Sequence, residues 1–365
     1  MDLRKAIFDK YLGGGLSRPV SALLALLVQR GTGSAALMLS GNTETKCWLT
    51  ACPAVKGGAY AVVADPVALG GFYIGGSFTH VGTVARNNIA RILPNGRLDL
   101  DWNPNADGAV YSLAVNSTAV YVGGDFTFVG GRARNRLAAL DASGRATQWN
   151  PNANGAVSAL AVSGRTVYAG GFFTSVGGHG RSYLAALDAS GNATPWDPKA
   201  NGFVCSLAVS GRMVYAGGFF TSIGEQRRNY LAALDASSGQ ATFWNPDANA
   251  GVYSIAVRGR TVYTGGFFTS IGRERRNYLA ALDTFHGSAT SWNPDANNSV
   301  NSVVVSGSTV YVGGFFTSVG GRRRNFVAAL DASTGCATPW NLNASNIVYS
   351  LAVSGSTVYA PTPVK

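Results

Sequence analysis

The chain has 365 residues, 46% of them hydrophobic and 13% charged, and its 29 Lys and Arg against 18 Asp and Glu give a formal net charge of +11. A single compact core stops growing near about 250–300 residues, so a one-domain chain of this length must spread its core over repeated units. The nine-residue apolar run Val20–Val28 is well short of the about 20 residues that cross a bilayer as a helix. No transmembrane segment is therefore expected, and the four Cys do not fix a redox compartment.

Met1–Gly33 forms an N-terminal extension in which Arg4, Lys5 and Lys10 precede that apolar run. A basic start followed by about 7–15 apolar residues is the layout of an export signal; Asp2, Asp9 and the Gly-rich lead depart from it, and a buried strand or short helix is the alternative. Residues 34–365 are read as one domain. It opens on Ala35-Ala36-Leu37, Ser40-Gly41-Asn42 and Trp48, with Cys47 and Cys52 near enough to be bonded in an oxidising compartment.

From there a unit recurs with a fixed beat. A Tyr precedes Gly-Gly at Tyr73, Tyr121, Tyr168, Tyr215, Tyr263 and Tyr311, always 47 or 48 residues apart, and a Trp ends each unit at Trp102, Trp149, Trp196, Trp244, Trp292 and Trp340. The copy over Val300–Trp340 shows the local signals most clearly. Val300–Val305 and Thr309–Phe316 are rich in β-branched and aromatic residues and read as strands joined by a tight turn at Ser306-Gly307-Ser308. Thr317–Asn325 reads as a longer loop, Phe326–Asp331 as a third strand, Ala332–Gly335 as a turn and Ala337–Trp340 as a short fourth strand. Helical periodicity is absent from the unit.

Four strands in under fifty residues cannot bury both faces of their own sheet, and identical neighbours must cover them. The fold class expected is therefore all-β, a β-propeller of four-stranded antiparallel blades. Ile347–Ala360 copies only the first two strands, and the copy that begins at Ala35 supplies only the last two. Together they make one unit, so the reading is seven blades, the last closed by N- and C-terminal strands. Six blades is the alternative, with Tyr11-Leu-Gly-Gly as a decayed second strand. Trp48, Trp102, Trp149, Trp196, Trp244, Trp292 and Trp340 then fall one per blade, as core side chains filling the widening gap between outer strands. The Gly-Gly pairs mark a bend or the close approach of a neighbouring backbone.

The second-to-third-strand loops hold thirteen arginines against Glu225 and Glu274, on the end that also carries the loops between units; the opposite end is close to neutral. Candidate binding residues there are Arg134, Arg181, Arg227, Arg228, Arg273, Arg275, Arg276, Arg322, Arg323 and Arg324, because a guanidinium fork holds two oxygens of a carboxylate, sulfate or phosphate. The structural alternative is that each Arg-Asn pair caps loop carbonyls and meets the inter-unit loop. A protein or anionic glycan is the expected partner, and nucleic acid is disfavoured because no recognised binding motif accompanies the charge. Loops such as Asn150–Gly155 and Asn245–Asn249 are Asx turns rather than calcium loops, since they lack the Glu such a loop needs. His80, His179 and His286 occupy unequal offsets and join no nucleophile or carboxylate motif; no zinc spacing and no cofactor motif occurs.

The consensus VYxGGFFTSVGGxxRNxLAALDAxxGxAxxWNPxANG resembles a bacterial β-propeller family of unknown function built of delta-type repeats. It is more distantly similar to repeats of fungal cortical polarity-marker proteins. The resemblance covers Tyr60–Ala360, with six whole matches; it departs from Kelch repeats, whose Tyr and Trp follow the Gly pair, and from WD repeats, whose Trp-Asp ending is missing. It implies a secreted or surface-exposed, non-enzymatic propeller and supplies no site residues. The function expected is thus a structural or binding module with an arginine-rich face. One alternative is a lectin-like propeller with a shallow glycan site per blade, needing an accessible aromatic between blades. Another is an enzyme at the axial mouth, needing the histidines to converge there.

Overall fold

The computed structural model describes residues 35–39 and 55–362. The N-terminal extension, Trp48, Cys47, Cys52 and the Tyr11 segment lie outside the described residues. Those described are strands, turns and loops, and no helix among them is long and apolar enough to cross a membrane.

In the unit that starts at Val300, strands Val300–Ser306, Thr309–Gly314 and Val327–Asp331 form an antiparallel sheet with Thr309–Gly314 in the middle. Phe326 is outside the third strand, at φ 63°. The expected fourth strand shrinks to one bridge, Leu330↔Ala337, as it does at the same place in five other units. The ladder stops there because the next carbonyl, on Thr338, accepts from the Arg324 guanidinium instead. The expected long loop also has structure, a two-residue hairpin of Ser318–Val319 with Arg322–Arg323. Gly320 and Gly321 turn it at φ 63° and 74°, the two positive values that a tight hairpin turn requires.

The Gly pair serves two different contacts. A side chain on Gly314 would collide with the Ser299 carbonyl oxygen of the paired strand, and a Cβ on Gly313 would lie 2.6 Å from Cγ1 of Val348 in the next unit. The approach at Gly314 is to backbone, the second of the two sequence readings, whereas that at Gly313 is to a side chain of the next unit.

Each buried cluster spans a boundary between units. Tyr263, Leu279 and Trp292 of one unit pack with Val300, Phe316 and Leu330 of the next, and equivalent clusters recur at the other boundaries. The tryptophans are the outer clasp. Trp102, Trp149, Trp196, Trp244 and Trp292 are 2–7% exposed, each edge-on to the Tyr before its own Gly pair at 5.0–5.2 Å. Four of them donate Nε1–H to the turn Asp carbonyl of the following unit, as Trp244 does to Asp283 O at 2.7 Å. Trp340 is half-buried, 5.6 Å from Tyr311.

The first and last of the described strands pair with each other. Ala35–Leu39 pairs antiparallel with Thr357–Thr362, Ala35 opposite Thr362 and Leu39 opposite Val358, and Ala352–Ser354 completes that sheet. A further buried cluster joins Ala352 and Tyr359 to Phe72 and Ile74 of the first complete unit, with the Phe72 and Tyr359 rings stacked at 5.2 Å. The same hydrogen bond is handed between first strands along this series: Ser254 Oγ accepts from Val303 N–H, Ser302 Oγ from Leu351 N–H, and Ser350 Oγ from Val62 N–H.

Candidate functional site

The loops between units and the small hairpins occupy one end of the sheets and are tied together. Asn297 Oδ1 accepts from the backbone N–H groups of Thr317 and Ser318 at 2.8 and 3.0 Å, and Pro294 O accepts from Gly320 N–H at 2.7 Å. Asn249, Asn201, Asn154 and Asp107 repeat the side-chain bond in their own units. These Asx residues bond a hairpin about 20 residues further on instead of closing the local Asx turns expected of them.

At the base of each hairpin stands the Arg of the Arg-Asn pair, or Arg181 where Ser182 replaces the Asn. Arg324 donates Nη1 to Arg323 O at 2.9 Å and Nη2 to Thr338 O at 2.7 Å, and is 7% exposed. Arg134 bonds Ala133 O and Thr147 O, Arg181 Gly180 O and Thr194 O, Arg228 Arg227 O and Thr242 O, and Arg276 Arg275 O and Thr290 O. Burial pushes the guanidiniums of Arg134, Arg228 and Arg324 below their ordinary value, with the charge of Arg322 adding to the effect at Arg324. Five of the ten candidate arginines therefore have their forks turned into the protein. Their Asn partners reach the inter-unit loop, Asn325 to Asn343 Oδ1, Asn277 to Asp295 Oδ1 and Asn229 to Asp247 Oδ1, each at 2.7 Å.

The other five, Arg227, Arg273, Arg275, Arg322 and Arg323, lie exposed on the hairpins of three successive units. None of them joins an ion pair among the described residues, whereas Glu225 is held by Lys199 at 3.0 Å and Glu274 lies 4.0 Å from Arg276. Arg273 sits at φ 67° and Glu225, at the same position of the preceding unit, at φ 63°, where Gly131, Gly178 and Gly321 stand at 74–78° in other units, a conformation that costs a non-Gly residue roughly 1–2 kcal/mol.

A second feature lies at the inner edge of the sheets. A bulge interrupts the first strand of six units, one residue after Val110, Val157, Val204, Val252 and Val300 and after Ala59. The residue it turns out, Tyr60, Tyr111, Ser158, Cys205, Tyr253 or Asn301, lines a shared cavity of about 250 Å³, joined by Tyr349 just before the strand Ala352–Ser354. A bulge re-aims a side chain in this way. The sequence reading missed these residues. The available signal was a column that varies between units where its neighbours repeat, but only strand register shows that this column faces inward.

The histidines do not converge there. His80 bonds Thr79, His179 bonds the Gly177 carbonyl on a hairpin, and His286 lies 3.5 Å from Asp283 in an outer turn; none lines the cavity. The tryptophans named above are buried or half-buried, so they are not the accessible aromatic that a glycan site in every blade would use. Phe243, fully exposed, stands where other units have Gln148, Pro195, Ser291 and Pro339.

Comparison with known proteins agrees with the propeller architecture. Residues 73–101 match a β-propeller domain of unknown function, and residues 97–342 match the family described as outer membrane protein assembly factor BamB. No curated protein matches the chain, so the likeness to fungal cortical markers rests on the repeat pattern alone. Among solved structures, the computationally designed Ika8 protein is 13% identical, with a TM-score of 0.49 over 92% of this chain and 98% of its own. The designed Ika4 protein is 14% identical, with a TM-score of 0.34 over 49% of this chain and 92% of its own. Since the second family match spans well over half of its length, the chain belongs to the β-propeller family described as outer membrane protein assembly factor BamB.

Proposed function

We propose that the protein is a seven-bladed propeller, closed by its own two ends, that acts as a non-enzymatic binding module. Its hairpin tips present Arg227, Arg273, Arg275, Arg322 and Arg323 to an anionic partner, an acidic protein surface or an anionic glycan. Closure is supported by the pairing of Ala35–Leu39 with Thr357–Thr362 and by the Ser350–Val62 bond, which matches the Ser254–Val303 and Ser302–Leu351 bonds between interior units. A closed ring leaves no sheet edge to aggregate.

The observation that carries the binding reading is Arg273. Exposed and without an ion-pair partner among the described residues, it is held at a positive φ where three other units use Gly, whereas Glu225, the other non-Gly residue at this position, is paired with Lys199. Strain of this kind persists at functional positions. With Arg275 on the same hairpin and Arg322 and Arg323 on the next, the charges are placed for several contacts at once. An extracytoplasmic setting, secreted or at the cell surface, suits such a module and is compatible with the outer-membrane role in the family's description.

The test is retention on a dextran sulfate column under a rising salt gradient, for the parent and for a variant with Arg322 and Arg323 changed to Ser. Arg324 stays in place because its removal would open the hairpin base. Binding through several arginines is salt-steep, since each contact releases counterions, and the variant should elute at clearly lower salt with an unchanged unfolding midpoint. Co-elution of the two proteins, or passage of both without retention, would refute the reading.

A further inference from the structure

The axial cavity has a composition that the fold does not require. Its lining column comes from equivalent bulges in nearly identical strands, yet it reads Tyr60, Tyr111, Ser158, Cys205, Tyr253 and Asn301 from one unit to the next. The position beside it, in contrast, stays small, Ser in five units and Ala at Ala61 and Ala159, and Ser254, Ser302 and Ser350 make the same seam hydrogen bond. Packing of the units thus keeps one column small and leaves the other free to serve a ligand.

The cavity has two unlike walls. Tyr60 lies 6.1 Å from Tyr111 and 6.2 Å from Tyr349, giving a continuous aromatic arc across the seam of the two chain ends. Around the rest of the wall stand Ser158, Phe203, Cys205, Tyr253 and Asn301 with the seam serines. Cys205 is engaged, donating Sγ–H to Val252 O at 3.2 Å. The Tyr253 hydroxyl and both amide atoms of Asn301 are buried and have no hydrogen-bond partner among the described residues. Every residue of the lining is uncharged as written, and burial keeps it so, raising Tyr60, Tyr111, Tyr253 and Tyr349 and pushing the Cys205 thiol up to about 12.

These walls select a ligand by elimination. An anion finds no cation in the cavity. A quaternary ammonium would suit an aromatic arc but offers nothing to the donor and acceptor of Asn301, and a hydrocarbon leaves the same groups unpaired. The arc rings meet at 39° and 67°, and Phe203 is already stacked on Phe172 at 3.9 Å, so no open parallel pair exists to sandwich a flat heterocycle. What remains is a small, neutral, puckered ring with C–H groups on one face and hydroxyls at its edge. We propose that the axial cavity binds one neutral monosaccharide, its apolar face on Tyr60, Tyr111 and Tyr349 and its hydroxyls on Asn301 and Tyr253.

This proposal is independent of the arginine face, and its failure would leave that reading intact. The test is calorimetric titration of the full chain with glucose, galactose, mannose and their N-acetylamino forms, with choline and glucuronate run in parallel. At least one neutral sugar should bind one per chain, and Asn301→Leu should weaken it by about tenfold or more, the loss a site built on hydrogen bonds shows when they are missing. Tyr253→Phe, which removes one oxygen and no packing, should weaken it as well, and should keep the test decisive if Asn301→Leu fails to fold. The proposal is overturned if no neutral sugar binds, if choline or glucuronate binds in preference, or if sugar binds equally well to Tyr253→Phe or to folded Asn301→Leu.

Discussion

Arg323 and Arg324 are neighbours in the chain and belong to different regions of the molecule. Arg324, at a hairpin base, is 7% exposed and spends its guanidinium on two backbone carbonyls, whereas Arg323, at the tip, is exposed and without an ion-pair partner among the described residues. The same contrast occurs at the outer rim, where Phe243 is fully exposed and Trp244 is 2% exposed and bonded to the next unit. Residue type does not separate the members of either pair; place in the repeat does. Positions that recur in every unit hold units together, and positions that vary between units are available for recognition.

The strongest way to break this contrast is at the rim. Trp244→Ala should cost about 3–5 kcal/mol, the loss of a buried aromatic together with the cavity it leaves, while Phe243→Ala should change stability by less than about 0.5 kcal/mol. Urea unfolding midpoints measure both. At the hairpin, Arg324→Ala should cost about 3 kcal/mol, since hydrogen bonds from a charged group contribute about 1.5–3 kcal/mol each. Lys at the same position should not restore it, because a point charge cannot serve two carbonyls as a fork does. Arg323→Ala should leave the midpoint unchanged, and equal effects at the two positions would erase the distinction between base and tip.

A smaller effect of opposite sign sharpens the contrast. Arg273→Gly should stabilise the protein by about 1 kcal/mol, by relieving a left-handed residue, and should at the same time weaken retention on dextran sulfate. Gain of stability with loss of binding is the signature of a residue kept for recognition. The smallest effect lies in the turns at the opposite end. Hydrogen bonds from the Ser333 side chain and from the Thr334 and Ser333 backbone hold Asp331 at about 2, and Ser237 and Ser238 hold Asp235 likewise. Because these folded values are depressed, their stabilisation is complete above the ordinary carboxylate value of about 4 and is lost as pH falls towards about 2. Asp331→Asn should therefore flatten the fall of the melting temperature across that window without changing polyanion retention.

Much of the frame was legible in the sequence because it repeats. The Tyr and Trp beat located the units, and the edge-on pairs Tyr215–Trp244 and Tyr263–Trp292 are that beat seen in space. The fourth strand was over-read, because alternation at Ala337–Trp340 carries no sign that the Thr338 carbonyl is claimed by Arg324. The hairpin inside Thr317–Asn325 was hidden for a related reason, being only two residues long on each side. The candidate site was legible as a concentration of arginines, and the Arg-Asn pairs already marked those able to cap loop carbonyls. Which carbonyls they reach, Thr338 for Arg324 and Thr242 for Arg228, was not legible, because it depends on how the hairpin base faces the following turn. The axial residues needed the bulge register, a matter of one extra residue against the partner strand.

The measurement that tests the central claim most directly is the affinity for dextran sulfate across a series of salt concentrations. It would compare the parent with a variant in which Arg227, Arg273, Arg275, Arg322 and Arg323 are all Ser and the five hairpin-base arginines are kept. The slope of log affinity against log salt counts the counterions released. The parent should give a steep slope, and the variant a nearly flat one with an unfolding midpoint no lower than the parent's. Equal slopes for the two folded proteins would contradict the account and return these arginines to the role of loop structure.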